Sequence, residues 1–221
     1  MDDNGLEIFR WHTFNVRSIL PQDWASQLLS IAEHHAQQIT LIPDSPTSRE
    51  VSDVTEVPTA TVDGIVLSRE APWLLDLYRG PFRDLGQTVV QETLSPAGDP
   101  KIAANLNVQT GIKMRYEAHV DTNPLQGMLY VTDHPPGDGG ELVVAQDVHA
   151  VGTVGIDSNA SVIYPTSGCL IFFDARRNPH YVRPLRRRGA TRVAVAMNFY
   201  TPSCPESSRP PDLTTHLFRH M

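Results

Sequence analysis

Thr191-Arg192-Val193-Ala194-Val195-Ala196-Met197-Asn198-Phe199-Tyr200 reads as one β-strand with two unlike faces. Side chains alternate along a strand. Arg192, Ala194, Ala196 and Asn198 therefore share one face, and Val193, Val195, Met197 and Phe199 share the other. The apolar face asks for a covering layer. The opposite face, two alanines beside an arginine, leaves room for a small ligand.

Upstream the same texture repeats. Ile102–Gln109, Met114–Val120, Gly127–Val131, Glu141–Ala145, Val162–Tyr164 and Cys169–Phe173 are short apolar or alternating runs separated by Gly, Pro and Asp turns. Many short strands at this spacing indicate a sandwich or barrel. Residues 1–100 read differently. A short strand is expected within 6–20. Pro21 opens a helix with Trp24, Leu28, Leu29 and Ala32 at buried spacing. Residues 43–64 read as a loop with short strands, placed like a lid over a substrate. Ala71–Val90 reads as a second helical region, broken near Gly80-Pro81, with Trp73, Leu74, Leu77, Leu85 and Val89 as its buried positions. The tail 201–221 is Pro-rich and expected to wrap the surface. Together these make one mainly β domain over 1–221, with a barrel core at 101–200 and N-terminal helices packed on one sheet.

Composition narrows the functions. The 221 residues carry 18 Lys+Arg against 25 Asp+Glu, a formal charge of −7, which disfavours nucleic acid and anionic membranes as partners. No apolar run approaches the roughly 20 residues of a membrane helix, and the start, Met1-Asp2-Asp3-Asn4, is unlike a signal peptide. A cytoplasmic location is expected. Cys169 and Cys204 are too few for a disulfide framework. Cys169 reads as a buried strand residue, and His34-His35 as helix surface. His134, His149, His216 and His220 have no spacing partners and read as surface too.

The chemistry concentrates at His119-Val120-Asp121. Residues two apart on a strand share a face, so imidazole and carboxylate can hold one ion. His180 follows 59 residues later at another strand end. Two His and one carboxylate form the facial triad of non-haem Fe(II) oxygenases, which leaves positions open for a co-substrate and O₂. An isolated H-x-D arises often by chance, and a surface His beside a turn Asp is its plain alternative. Asn105, Asn107 and Gln109 alternate with apolar residues as a polar stripe, facing either a ligand in a barrel mouth or solvent.

The order of these pieces resembles the Fe(II)/2-oxoglutarate-dependent dioxygenases, nearest the prolyl 4-hydroxylase-like branch. Tyr116 to Asp121 is similar to the family's Y-x-x-H-x-D strand, Gly127 to Glu141 to its following strand and G-G-E turn, and His180 to Val182 with Arg192 to its late strands. The likeness covers roughly residues 102–200. It implies a double-stranded β-helix, a jelly-roll barrel with the metal at its open end. It implies Fe(II) on His119, Asp121 and His180, with 2-oxoglutarate as co-substrate, O₂ as oxidant and ascorbate as a stimulant. The distal carboxylate of 2-oxoglutarate then needs a base deep in the barrel. Arg192, twelve residues after His180, offers a planar fork that suits it. Arg188, in the run Arg186-Arg187-Arg188, is the lesser rival. Tyr116 resembles the family tyrosine that hydrogen-bonds the co-substrate, but alternation puts it opposite His119 unless a bulge intervenes. Arg115 and Glu117 share His119's parity and could touch substrate. Asn107 is the stripe residue assigned to the co-substrate.

The resulting expectation is a hydroxylase acting on an unactivated carbon of a small polar metabolite, such as a free or carrier-linked amino acid in a biosynthetic pathway. It works as a monomer or homodimer and yields succinate and CO₂. Asp121 favours hydroxylation, desaturation or ring closure over halogenation, since related halogenases lack this carboxylate. Three alternatives stand beside it: a prolyl or peptidyl hydroxylase, a cupin-like metal enzyme without 2-oxoglutarate, and a non-catalytic barrel module.

Overall fold

The computed structural model describes residues 11–210; the readings on His216, His220 and the ends of both terminal segments fall outside them. Chain order is β1 (Trp11–Asn15), α1 (Trp24–His35), β2 (Gln37–Leu41), β3 (Val57–Val62), α2 (Gly64–Glu70) and α3 (Pro72–Leu77). A π turn (Tyr78–Phe82), α4 (Arg83–Gln87), β4 (Ser95–Pro96), α5 (Pro100–Ala103), β5 (Ala104–Thr110), β6 (Tyr116–His119) and β7 (Leu125–Tyr130) follow. The chain continues through β8 (Leu142–Ala145), α6 (Gly152–Asp157), β9 (Ala160–Ile163), β10 (Cys169–Phe173), β11 (His180–Val182) and β12 (Thr191–Tyr200).

Two antiparallel sheets face each other as a jelly-roll barrel. The larger runs β1-β10-β7-β12-β5-β3-β2, with β4 on β12; the smaller runs β6-β11-β8-β9. The barrel is therefore not confined to 101–200. The N-terminal strands β1, β2 and β3 extend the larger sheet at both edges. Val57–Val62 is buried strand rather than lid, so only the first part of 43–64 is loop.

Burial separates three layers. Between the helices and the larger sheet lie Leu28, Leu74, Tyr78, Phe82, Leu106, Phe172, Val193, Val195, Met197 and Phe199. Inside the barrel lie Met128, Tyr130, Leu142, Val144, Ile171, Phe173, Val182 and Ala194. Outside the smaller sheet lie Ala118, Val143, Ala145, Ile156 and Tyr181, under α6. The β12 alternation thus sorts its two faces between helix-covered and barrel layers.

Helix faces depart from the expected ones in detail. On α1 the buried set is Trp24, Leu28, Ile31 and Ala32, while Leu29 is exposed. The i, i+4, i+7, i+8 stripe accounts for this, because Leu29 lies about 100° beyond Leu28 around the axis. The second helical region begins earlier than Ala71, at Gly64, where the Asp63 carboxylate accepts the Val66 N–H at 2.9 Å as an N-cap. The break at Gly80-Pro81 is the π turn. It rotates the buried face, so Leu75, Tyr78 and Phe82 go inside with Leu74, and Trp73, Leu77, Leu85 and Val89 are half-buried. The Tyr78 hydroxyl donates to the Asn198 carbonyl and accepts the Ala97 N–H, tying the helices to β12. Among the described residues no helix is long and apolar enough to cross a membrane.

Gly64 starts α2 against α5. A Cβ there would meet the Pro100 carbonyl oxygen at 1.9 Å and the Ala104 carbonyl oxygen at 2.7 Å, backbone atoms that cannot step aside. Gly155 in α6 meets nothing within 4 Å. Thermal unfolding should find Gly64→Ala destabilised by about 2 kcal/mol. Gly155→Ala should be neutral to stabilised by up to about 1 kcal/mol through helix propensity.

Candidate active site

β6 and β11 lie side by side in the smaller sheet and carry two imidazoles to one point. His180 pairs with His119, and Val182 pairs with Tyr116. Three steps along β6 thus face two along β11, which is a β-bulge. The bulge resets the alternation, so Tyr116 and His119 both line the barrel cavity. It also turns Arg115 away from the cavity: its guanidinium binds Glu50, with Nη1 to Oε1 at 2.5 Å. Glu117 stays at the mouth, which it lines with Thr47, Asn198, Tyr200 and Arg209.

The chain leaves β6 through Asp121, whose N–H donates to the Ala175 carbonyl at 2.9 Å. Its carboxylate reaches both rings: Oδ1 lies 3.2 Å from His119 Nε2, and Oδ2 lies 3.9 Å from His180 Nε2. His119, Asp121 and His180 each offer one ligand atom, all within 4.8 Å of one another. His119 Nδ1 sits 2.8 Å from the Glu117 carbonyl and His180 Nδ1 sits 3.1 Å from the Asn178 carbonyl. A carbonyl only accepts, so each Nδ1 carries a proton and each Nε2, which faces Asp121, is the atom left to ligate a metal once it is unprotonated. That backing, together with one carboxylate, suits a divalent first-row metal with open positions. Phe173 stands edge-on to His180 with ring centres 5.6 Å apart, fixing the ring's tilt.

Electrostatics separate the two imidazoles. Burial pushes both down. At His119 the Asp121 hydrogen bond and charge override it and lift the pKa to about 9. At His180 burial, joined by the neighbouring His119 charge, brings it to about 4. Burial also opposes the Asp121 charge, but the two imidazoles outweigh it and hold the carboxyl below its ordinary range.

Deeper in the barrel, Arg192 is 1% exposed. Its Nε donates to the Gly140 carbonyl at 2.8 Å, Nη2 points at Met128 Sδ at 3.6 Å, and the guanidinium lies 5.6 Å from the Tyr130 ring centre. Among the described residues it has no carboxylate partner. Burial lowers its pKa, working against the charge. Gly139 and Gly140 at φ +81° form the turn that lets the backbone reach it; a Cβ on Gly140 would press on Arg192 Cδ at 3.0 Å. The run 186–188 is exposed, with Arg187 on Asp138 at 2.8 Å, and Arg183 pairs with Asp157 at 2.9 Å. Only Arg192 of these arginines is inside the barrel.

Between the triad and Arg192 the wall is polar. Asn105 and Asn107 line the cavity with Gln126 and Asn198. Asn105 and Asn107 sit opposite Ala196 and Ala194 on β12, so the alanines leave space in front of two carboxamides. Gln109 is turned to structural work instead, donating to the Met114 and Arg183 carbonyls.

Three residues stand out that the sequence reading left out or placed on the surface. Tyr130 is buried beside Arg192, whose charge works against burial at its hydroxyl, and burial pushes its pKa up to about 12. Its parity with Gln126 and Met128 on β7 was the available signal. Glu50 comes from the loop before β3, where no periodicity points inward. His134 is not surface: it is 2% exposed, with Nε2 3.2 Å from the Thr191 carbonyl, and burial and the Arg192 charge lower its pKa. Cys169 is half-buried rather than buried.

A family model described as the 2OG-Fe(II) oxygenase superfamily matches residues 104–200, the span from β5 to β12 that carries the triad and Arg192. Over that span, somewhat under half of the chain, the sequence is similar to that superfamily. The chain is also similar in fold to several solved structures. AviO1 from Streptomyces viridochromogenes Tue57 has a TM-score of 0.61 at 15% identity, over 88% of this chain and 91% of that one. HygX from Streptomyces hygroscopicus, solved with nickel and 2-oxoglutarate bound, has 0.56 at 13%, over 87% and 83%. A prolyl hydroxylase from Trichoplax adhaerens, in complex with a hypoxia-inducible-factor peptide, has 0.53 at 17%, over 95% and 89%. No curated protein matches the chain by sequence. Oxygenases of this superfamily use Fe(II), 2-oxoglutarate and O₂. The donor set fits that chemistry: two Nε2 lone pairs and a carboxylate for the metal, and a buried, acid-free guanidinium for a dicarboxylate.

Metal uptake competes with the His119 proton. A pKa near 9 means the ring is protonated at pH 7, and ligation needs it neutral. Co(II) affinity of the metal-free protein should therefore rise with pH, by close to tenfold per unit between about 7 and 9, and flatten above that. Calorimetry in buffers of differing ionisation enthalpy should count about one proton released per ion at pH 7.

Proposed function

We propose that this oxygenase hydroxylates an unactivated carbon of a small polar metabolite, an amino acid in free or carrier-linked form, while 2-oxoglutarate is decarboxylated to succinate and CO₂. The observation that carries the reading is the cavity mouth. Glu117, a carboxylate, and Arg209, a guanidinium, line it together with Thr47, Asn123, Asn198 and Tyr200 beside His119 and Asp121. Opposite charges around one opening suit a ligand with both an ammonium and a carboxylate group.

In this reading His119, Asp121 and His180 hold Fe(II) through Nε2, a carboxylate oxygen and Nε2. Arg192 receives the distal carboxylate of 2-oxoglutarate as a charge-assisted fork, with the Tyr130 hydroxyl beside it. Asn107 and Tyr116 steady the body of the co-substrate. The bound metal and oxoacid supply the oxidising chemistry. The chain supplies position and shielding: Phe173, Met128, Leu142 and Val182 keep water from one wall, and the Asn105 and Asn198 carboxamides orient polar groups along the other. Asp121 occupies the position a halide would need, which supports oxygen insertion.

The experiment is an anaerobic titration of the full-length, metal-free protein with Fe(II) and then 2-oxoglutarate, followed by the visible charge-transfer absorption. Wild type should develop the band, and His180→Ala should not. Arg192→Ala should need at least about tenfold more 2-oxoglutarate, the loss of a charge-assisted contact of roughly 1.5–3 kcal/mol. Iron binding without a band would replace this reading with the cupin-like one, and no iron binding would replace it with the barrel module. Aerobic succinate release should then be triggered by amino acids, with Glu117→Gln raising KM about tenfold and leaving the band intact. Release triggered only by a prolyl peptide would move the substrate class to peptidyl hydroxylation.

A further inference from the structure

β6 is the edge strand of the smaller sheet. β11 occupies one side of it, and residues 47–50 occupy the other. Ser48 bridges His119 in antiparallel fashion, the Arg49 N–H donates to the Ala118 carbonyl at 2.7 Å, and the Val120 N–H donates to the Thr47 carbonyl at 2.9 Å. An antiparallel pair such as Arg49 and Ala118 ordinarily exchanges both backbone bonds. Here only one is made. The Arg49 carbonyl instead accepts the Gly152 N–H at the start of α6, at 2.6 Å. The Ala118 N–H, left over, donates to Glu50 Oε1 at 2.6 Å. A side-chain carboxylate thus stands in for a ladder carbonyl inside the bulge, one residue before His119.

Glu50 is held for that task. Its side chain is 2% exposed, and the same Oε1 receives Arg115 Nη1. Arg115 also donates to the Tyr116 carbonyl at 3.2 Å. One carboxylate and one guanidinium therefore clamp residues 115–118 from the open edge of β6. A buried N–H without an acceptor costs about 1–3 kcal/mol. A strand relieving that cost by losing the bulge would turn its side chains to opposite faces.

We propose that Glu50 is a positioning residue for the metal centre: its carboxylate holds the β6 bulge in the form that turns His119 toward Asp121 and His180. The inference rests on the metal-site reading above and concerns a side chain that touches no ligand.

The test uses full-length, metal-free protein and Co(II) alone. Glu50→Ala should bind Co(II) at least about tenfold more weakly than wild type, in the range that supporting contacts contribute to metal sites. The visible d–d bands of the bound ion should shift. Glu50→Gln keeps an acceptor oxygen for the Ala118 N–H and should return to within about threefold of wild type, with wild-type bands. Gly64→Ala, destabilised where α2 meets α5 on elements that carry none of the three metal-site residues, should lose thermal stability while keeping both affinity and bands. Should the alanine variant fail to fold, Glu50→Asp, which keeps the charge but withdraws it by one methylene, carries the same expectation of weaker binding and shifted bands. Wild-type affinity and bands in Glu50→Ala or Glu50→Asp would overturn the proposal. So would a glutamine variant as impaired as alanine. A wild-type protein that takes up no Co(II) would instead overturn the metal-site reading on which the proposal stands.

Discussion

A positive charge sealed inside a β-barrel is the constraint around which the rest is arranged. Moving a guanidinium out of water is costly unless its donors are met. Arg192 is met only in part, by a glycine carbonyl, a thioether and an aromatic ring. Much of the surrounding sequence follows from that. The Gly139-Gly140 turn brings a carbonyl within reach, Tyr130 offers a π face and a hydroxyl, and Ala194 adds little bulk on the same face of β12. Among the described residues no carboxylate matches this charge, and the proposed dicarboxylate would do so.

The second determinant is local. A regular strand cannot present residues three apart on one face, so Tyr116 and His119 share the cavity only through the bulge. Bulges leave ladder groups unpaired, and an edge strand has no second neighbour to take them. The segment before β3 supplies that neighbour, with a carboxylate at the Ala118 rung where a backbone acceptor is missing. A stretch that reads as loop is therefore part of what shapes the strand that carries Tyr116 and His119.

Legibility followed the physics of each element. β12 was readable because its alternation is complete over ten residues, and its two faces went where their chemistry sent them. The convergence of His119, Asp121 and His180 was readable because few residue types ligate metals and these three fall on strand ends, and the inward face of Arg192 because parity placed it with the alanines. Tyr116 was readable only conditionally, since a bulge is a property of pairing and not of one strand. The edge strands β1, β2 and β3 were obscure: their partners lie far along the chain, and β2 is mostly exposed, so no apolar pattern marks it. Leu29 and Ile31 were exchanged because a helical stripe drifts around the axis, and the π turn at Tyr78–Phe82 displaced the next stripe altogether. His134 looked like surface because a loop normally is; it is buried because its ring reaches the Thr191 carbonyl at the start of β12.

The two halves of the candidate site belong to different sheets. His119 and His180 stand on the smaller one, Arg192 and the asparagines on the larger. Inside the barrel the two sheets meet through side chains rather than through a shared ladder. A molecule reaching from the imidazoles to the guanidinium would therefore span the gap like a strut, with a length set by the spacing of two independently hydrogen-bonded surfaces. Its occupancy and the mechanical stiffness of the barrel then become one equilibrium. Under the proposed reading, a homologous acid one carbon shorter or longer would be disfavoured less by any single contact than by the reluctance of two sheets to change their separation.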